Sequence, residues 1–406
     1  MTTTTRTALS TLKQADLKRL AFLTGLHSTG TKTSLTTTLR HELPRPRVAG
    51  VTPPSRTTPK ILSIDMGIRN LAYCVLDLHK GTEFLRHRPD QADFLGVDGK
   101  GTDVVSDILP HLTLTAWQRL VVNETPPLPS AESASAEDAT SVTNVPPNDS
   151  TSTTAYEPLA YAKLAYKLVS NLLITHKPTT VIIERQRWRS GGASSVLEWT
   201  IRVNMFEGMI CAVLETLRQL WLLRGQAAES NAQSRSEGRR DDALMGLEQF
   251  PDVYSVSPKR VFDFWSDKEN TGQQAASEGE EGLKGDERVN LKSSKAQKQL
   301  KISIVESWLR SHALQCDSEA AAIRDAFLDK LFKQKGSKSR PKSDAIAATV
   351  EKLDDLADCL LQGVTWVQWE ANRNAVLPQL DLSEEHEVVP KEVKKTTKPS
   401  RAKKKS

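Results

Sequence analysis

Paired cysteines are missing from this chain. Cys74, Cys211, Cys316 and Cys359 stand singly, and no two share the Cys-x-x-Cys spacing. That argues against a disulfide framework or a cysteine-held zinc, and for a reducing compartment. Also lacking is an apolar run able to cross a bilayer. The best stretch, Met209 to Leu223, carries Glu215 and Arg218, so no membrane partner is expected. Apolar residues make up only 38% of the 406, with mean hydropathy −0.43, less than a chain folded throughout would carry. A packed core diluted by polar inserts is the expectation. No internal repeat is visible, and the length suits one large domain or two ordinary ones. Net charge is +5 with an isoelectric point near 8.9, which mildly favours a polyanionic partner and equally suits an ordinary soluble protein.

What is present falls into segments. Residues 1–8 read as a targeting segment. Met1 to Lys13 hold Arg6, Lys13 and many threonines with no acid before Asp16, a composition resembling a mitochondrial transit peptide. Residues 9–43 read as a compact helical unit. Leu9, Leu12, Leu17, Leu20 and Leu23 have roughly helical spacing, Gly25 stops that helix, and Leu35, Leu39 and Leu43 mark a second one. Five prolines in 44–59 mark a linker. The main domain is read as 60–375. Ile61–Met66 and Leu71–Leu78 suit a hairpin, a third strand falls between His111 and Val122, and a helix spans Pro158–His176. Thr180–Glu184 is a short buried strand, Ser195–Leu223 a long helix, Val253–Val256 a strand and Pro258–Trp265 a helix. Helices over 293–311, 317–334 and 343–362 follow. Polar inserts at about 124–155, 225–248 and 266–292 read as disordered, as does the basic tail 376–406. The class is α/β, a mixed sheet flanked by helices.

Three acidic positions stand out. Asp65 ends the apolar run Ile61 to Ile64, and Glu184 ends Val181 to Ile183. Asp354, Asp355 and Asp358 crowd one turn of a late helix. Strand-end acids on neighbouring strands can bring their oxygens together, and helical positions three or four apart share a face, so Asp358 joins Asp355 or Asp354. Like charges packed this closely repel unless cations intervene. Magnesium takes hard oxygen ligands and keeps several waters, so carboxylates suffice. Two such ions about 4 Å apart activate a water and neutralise the leaving oxygen of a phosphodiester. Each acid has a bland reading too: Glu184 pairing with Arg185 or Arg187, or Asp354 and Asp355 on a solvated face beside Lys352. The three in this order are much harder to read that way.

The residues around the acids carry a family resemblance. Ser63-Ile64-Asp65-Met66-Gly67-Ile68-Arg69-Asn70-Leu71-Ala72 resembles the opening motif of the fungal mitochondrial Holliday-junction resolvases, the cruciform-cutting endonucleases. Ile183-Glu184-Arg185-Gln186-Arg187-Trp188-Arg189-Ser190 is similar to their second motif, and Lys352 to Leu361 to their last. Those proteins are similar in fold to bacterial RuvC, and the element order here is the ribonuclease-H-like one. The resemblance covers about residues 60–370 apart from the inserts. It implies a magnesium-dependent endonuclease, with manganese able to substitute, acting as a homodimer on four-way DNA junctions. It makes Asp65, Glu184 and Asp358 metal ligands with Asp354 or Asp355 as the fourth, and implies 5′-phosphate and 3′-hydroxyl products. Leu17 to Leu43, with Gly25 and Gly30-Thr31-Lys32, is similar to a SAP motif, a DNA-binding helical pair, which points to Lys32 as a contact.

Substrate contacts are sought among cations, because phosphate neutralisation dominates DNA affinity. Arg185, Arg187 and Arg189 alternate beyond Glu184, and arginine suits bidentate phosphate contact. Lys292, Lys295, Lys298 and Lys301 step by three along one helix face, a DNA-facing row or a solvated one. Arg69 and Asn70 follow Asp65 and are placed to position a strand. Trp188 is a candidate for stacking on an opened base, while Trp199 reads as core packing. Paired nicks on opposing strands need two-fold symmetry, which a homodimer supplies. Two alternatives stand beside this reading: a non-cleaving nucleic-acid binder such as a group I intron splicing cofactor, and a nuclear protein with the basic tail as an import signal.

Overall fold

The computed structural model describes residues 6–48, 58–68, 70–79, 108–121, 157–186, 198–230, 247–277, 293–334, 346 and 349–383. In chain order these form β1 (Thr7–Ala8), α1 (Gln14–Leu23), α2 (Lys32–Glu42), β2 (Lys60–Asp65), β3 (Leu71–Leu78) and β4 (Leu112–Leu120). Then come α3 (Pro158–His176), β5 (Thr180–Glu184), α4 (Glu198–Ser230), β6 (Asp252–Val256) and α5 (Pro258–Ser277). The chain closes with α6 (Ser294–Arg310), β7 (Gln315–Cys316), α7 (Ser318–Gln334), α8 (Leu353–Val376) and β8 (Leu380–Asp381). No described helix is long and apolar enough to cross a membrane.

Six strands form one mixed sheet in the order β6-β5-β2-β3-β4-β7. β2, β3 and β4 run antiparallel as a meander, while β5 and β6 continue the sheet parallel to β2. This is the mixed sheet flanked by helices that was expected. β2 reads Ile-Leu-Ser-Ile and is buried on both faces because helices cover both, as sheets with crossover helices require. On one face Leu62, Ile64, Tyr73, Val75, Val181 and Ile183 pack against α3 and α4. On the other Ile61, Ala72, Cys74, Leu76, Trp117 and Ile182 pack against α5 to α8.

The N-terminal unit has its own small core of Leu9, Leu17, Leu20, Leu35, Leu39 and Leu43, closed by Val376 and Leu380 from the other end of the chain. Its α1–α2 turn lies on α8. Gly25 has φ +67°, and a Cβ there would meet the Trp369 ring at 2.3 Å. Asn372 Nδ2 donates to Leu23 O at 2.7 Å, and Arg373 Nη1 to Leu43 O at 2.7 Å. Arg260 Nη1 on α5 donates to Gly25 O at 2.8 Å.

Several boundaries differ from expectation. The linker does not begin free at 44: Arg47 Nη1 donates to Thr24 O at 3.3 Å, its guanidinium lies over Trp366, and Val48 is buried. The tail does not begin at 376, because Val376 and Leu380 fill the N-terminal core, and β8 pairs in parallel with β1. That pairing also takes Thr7 and Ala8 out of the proposed targeting segment. The last acidic helix runs 353–376 rather than 343–362, since its second half is buried between the sheet and the N-terminal unit. α4 and α5 extend into the proposed inserts as far as Ser230 and Ser277. The insert 124–155, most of the other two and the tail beyond 383 lie outside the described residues.

Gly25→Ala should destabilise the protein by roughly 2–4 kcal/mol, summing left-handed strain and the clash with Trp369. Urea denaturation of the full chain checks this, and a midpoint unchanged from the parent would contradict the docking described.

Candidate active site

Strands β2 and β5 place the first two acids. They run parallel with Ile64 opposite Ile183, so Asp65 and Glu184 follow at the same end. Strand alternation then sets the face. Asp65 shares the face of Ile61, and Glu184 that of Ile182, so both point toward the layer that contains α8.

Side chains from the sheet pin α8 over them. Ser63 Oγ donates to Cys359 O at 2.8 Å, and Trp117 Nε1 donates to Leu356 O at 3.0 Å. Gln362 Nε2 donates to Ser63 Oγ at 3.1 Å and to Ile64 O at 3.2 Å. These contacts bring the first turns of α8 beside Asp65. Burial holds the Asp65 carboxyl well above its usual range. Glu184 raises it further by charge and by a direct hydrogen bond, and Asp358 and Asp355 add to this. Burial and the neighbouring Asp354 push Asp355 to about 6. Burial also takes Asp358 to about 6, with Lys301 opposing and Glu184 reinforcing the rise. Glu184 is oriented by Gln186 Nε2 at 3.1 Å and by the Met66 N–H at 3.4 Å.

The two candidates for fourth acid behave differently. Asp355 Oδ2 is buried with no hydrogen-bond partner. Burial alone would raise Asp354, but its hydrogen bond and charge contact with Lys298 hold it below the ordinary carboxylate range. Lys298 Nζ meets Asp354 Oδ2 at 2.5 Å. Lys301 Nζ lies between both oxygens of Asp358, at 2.5 and 2.6 Å.

Among the described residues no group of three or more His, Cys, Asp or Glu side chains stands together as a ready-made metal site, and these lysines hold two of the acids. The donor chemistry still fits a hard divalent cation. Four carboxylates lie close enough to act on one another, and one carries an orphaned buried oxygen. Asp358 keeps 31% of its side-chain surface, which leaves an approach from solvent. A bound dication would reverse the direction of every raised carboxyl here.

The proposed DNA contacts divide. Lys298 pairs with Asp354 and Lys301 with Asp358, because α6 packs along α8; Lys301 is largely covered, while Lys298 stays exposed. Lys295 is exposed in the first turn of α6, and Lys32 is exposed at the start of α2. Arg185 is exposed beyond Glu184, its N–H on Val256 O at 2.8 Å. Asn70 is held by Arg119, whose Nη1 meets its Oδ1 at 2.6 Å. Arg69, Arg187, Arg189, Trp188 and Lys292 lie outside the described residues, and Trp199 is in the first turn of α4. Three participants went unread in the sequence: Gln186, Gln362 and Arg119. An arginine two residues after a buried tryptophan on one strand face was the available signal for the last.

Comparison with known proteins gives three results. The family model described as "Mitochondrial resolvase Ydc2 / RNA splicing MRS1" matches residues 61–376, from β2 to the end of α8. "Cruciform cutting endonuclease 1, mitochondrial" of Schizosaccharomyces pombe is 22% identical over 364 residues, covering 89% of this chain and 94% of that protein. A solved structure described as the yeast mitochondrial Holliday junction resolvase Ydc2 is 21% identical and covers 89% of this chain and 95% of that one, with a TM-score of 0.44.

Asp355→Asn should raise stability in chelator at neutral pH by of order 1 kcal/mol, after allowance for solvent screening, by removing one charge from the cluster. Asp354→Asn should not, because it forfeits the Lys298 pair. Thermal melts in EDTA separate them, and equal behaviour of the two variants would contradict the assignment.

Proposed function

The chain belongs to the family of the mitochondrial resolvase Ydc2 and the RNA splicing protein MRS1, and from that membership we propose a metal-dependent endonuclease that resolves four-way DNA junctions in mitochondria. The observation that carries the proposal is the convergence of Asp65, Glu184, Asp355 and Asp358 at one end of one sheet face. Binding proteins need no such repulsive cluster; a phosphodiesterase does. The curated relative named as a cruciform-cutting endonuclease is matched over nearly its whole length.

In this reading Asp65, Glu184, Asp355 and Asp358 hold the cation, magnesium or manganese, through carboxylate oxygens. A bound dication supplies a water acidic enough to attack and a counter-charge for the leaving oxygen. The residues do the placing. Gln186 and the Met66 N–H orient Glu184, and Ser63, Trp117 and Gln362 keep α8 at the height its acids need. Lys301 would have its charge available to incoming phosphate with Asp358 engaged by the cation, while Lys298 stays on Asp354. Asp355 is preferred to Asp354 as the fourth ligand, on its orphaned oxygen. A homodimer offers two such sites related by a two-fold axis, which suits paired symmetric nicks. Arg185, Lys295 and Lys32 are proposed as outer DNA contacts.

The family description also includes RNA splicing, so a non-cleaving splicing cofactor is the second reading. Asp65→Asn separates the two. The nuclease reading expects junction binding within about twofold of the parent and a cutting rate lower by at least about a hundredfold, the loss of a few kcal/mol of transition-state stabilisation. A labelled mobile junction with and without magnesium, and a linear duplex as control, make the measurement. A parent protein that binds junctions but never nicks them would overturn the nuclease.

A further inference from the structure

We propose that Arg119 is a positioning residue for this cutting reaction, a buried guanidinium that clasps the turn after Asp65 to the entry of the acid-bearing helix α8. The inference rests on the nuclease reading above and adds a residue that the sequence motifs do not include.

Its place follows from strand register. Asp65 pairs with Ala72, and Ala72 pairs with Arg119, so all three share one sheet face. Neighbouring strands lie about 4.8 Å apart, which puts Arg119 roughly two strand spacings from Asp65. The intervening Ala72 is fully buried and has only a methyl group.

The side chain is 4% exposed, yet its ion-pair partner Glu351 is 68% exposed. Burying a guanidinium is costly unless its hydrogen bonds are met, and one solvent-facing carboxylate returns little. The Arg119 charge also acts on the acids, being among those that draw Asp355 down against its burial.

Two arms of the fork reach different elements. Nη1 donates to Asn70 Oδ1 at 2.6 Å, in the turn joining β2 to β3. Nη2 donates to Glu351 Oε2 at 2.6 Å, just before α8 and four residues ahead of Asp355. One side chain thus ties the segment following Asp65 to the one preceding Asp355 and Asp358. Lysine keeps the charge but has no planar fork to span two diverging acceptors. Displacing reacting groups by about 1 Å can cost on the order of a hundredfold in rate.

The test uses the full chain with Arg119→Lys, Asn70→Ala and the double variant. Single-turnover cutting of a labelled four-way junction should fall about 10- to 100-fold in each single variant. Junction affinity, measured by gel shift in calcium, should stay within about twofold, and the double variant should be no slower than Arg119→Lys, since both remove one link. Amide exchange in peptides covering 66–71 and 349–354 should quicken in Arg119→Lys. Cutting by Arg119→Lys within about twofold of the parent, or additive losses in the double variant, would overturn the clasp. So would a fall in Asn70→Ala affinity equal to its fall in rate, which would make Asn70 a DNA contact. If Arg119→Lys does not fold, Asn70→Ala decides, since it leaves the guanidinium in place. A parent that cuts no junction sinks the nuclease reading instead, and the exchange measurement still judges the clasp: quickened exchange supports it, unchanged exchange overturns it.

Discussion

Helix α8 reaches the sheet closely because position 363 has no side chain. A Cβ on Gly363 would meet Leu76 Cδ1 at 2.9 Å and Ser63 Cβ at 3.3 Å. That approach lets Ser63 and Trp117 donate to carbonyls of α8, and lets Gln362 reach back to β2. The height and rotation of the helix follow from these contacts, and the position of Asp355 and Asp358 over Asp65 follows from the helix. The same helix continues for four more turns and becomes the seat of the N-terminal unit, through Trp369, Asn372, Arg373 and Val376. The acidic face of the sheet and the N-terminal unit therefore meet the two ends of one helix.

The cost of the site is electrostatic. Four carboxylates share one end of the sheet, and burial together with mutual repulsion raises three of them. Lys298 and Lys301 relieve part of this strain from α6, and Arg119 relieves part from β4. Local destabilisation of this kind is tolerated where it serves chemistry, because a dication that binds the cluster converts repulsion into ligation.

Much of this was legible in the sequence, for physical reasons that differ by residue. Asp65 and Glu184 were readable because each terminates an apolar run, and a charge at a buried strand's end is rarely idle. The succession of strands and helices along the main domain was readable because periodicity survives the polar inserts, although the short β7 was not. The choice between Asp354 and Asp355 was not, since helical spacing cannot reveal that a lysine from another helix claims one of them. For the same reason the lysine row looked like a DNA face, although Lys298 and Lys301 are claimed by Asp354 and Asp358 on packing. The second half of α8 was missed because a glycine followed by β-branched Val364 and Thr365 imitates a helix end, whereas tertiary burial sustains it. Junction resolution and the mitochondrion came from motif resemblance, not from geometry, which by itself says only that hard cations suit the site.

Crystals of the full chain soaked in manganese, with anomalous scattering recorded at the metal edge, probe the central claim most directly. A peak bonded to Asp65 and to at least one of Asp355 and Asp358, with the Lys301 ammonium withdrawn from Asp358, is the predicted result. Manganese absent from that end of the sheet at millimolar concentration, with Lys301 still on Asp358, would contradict the account.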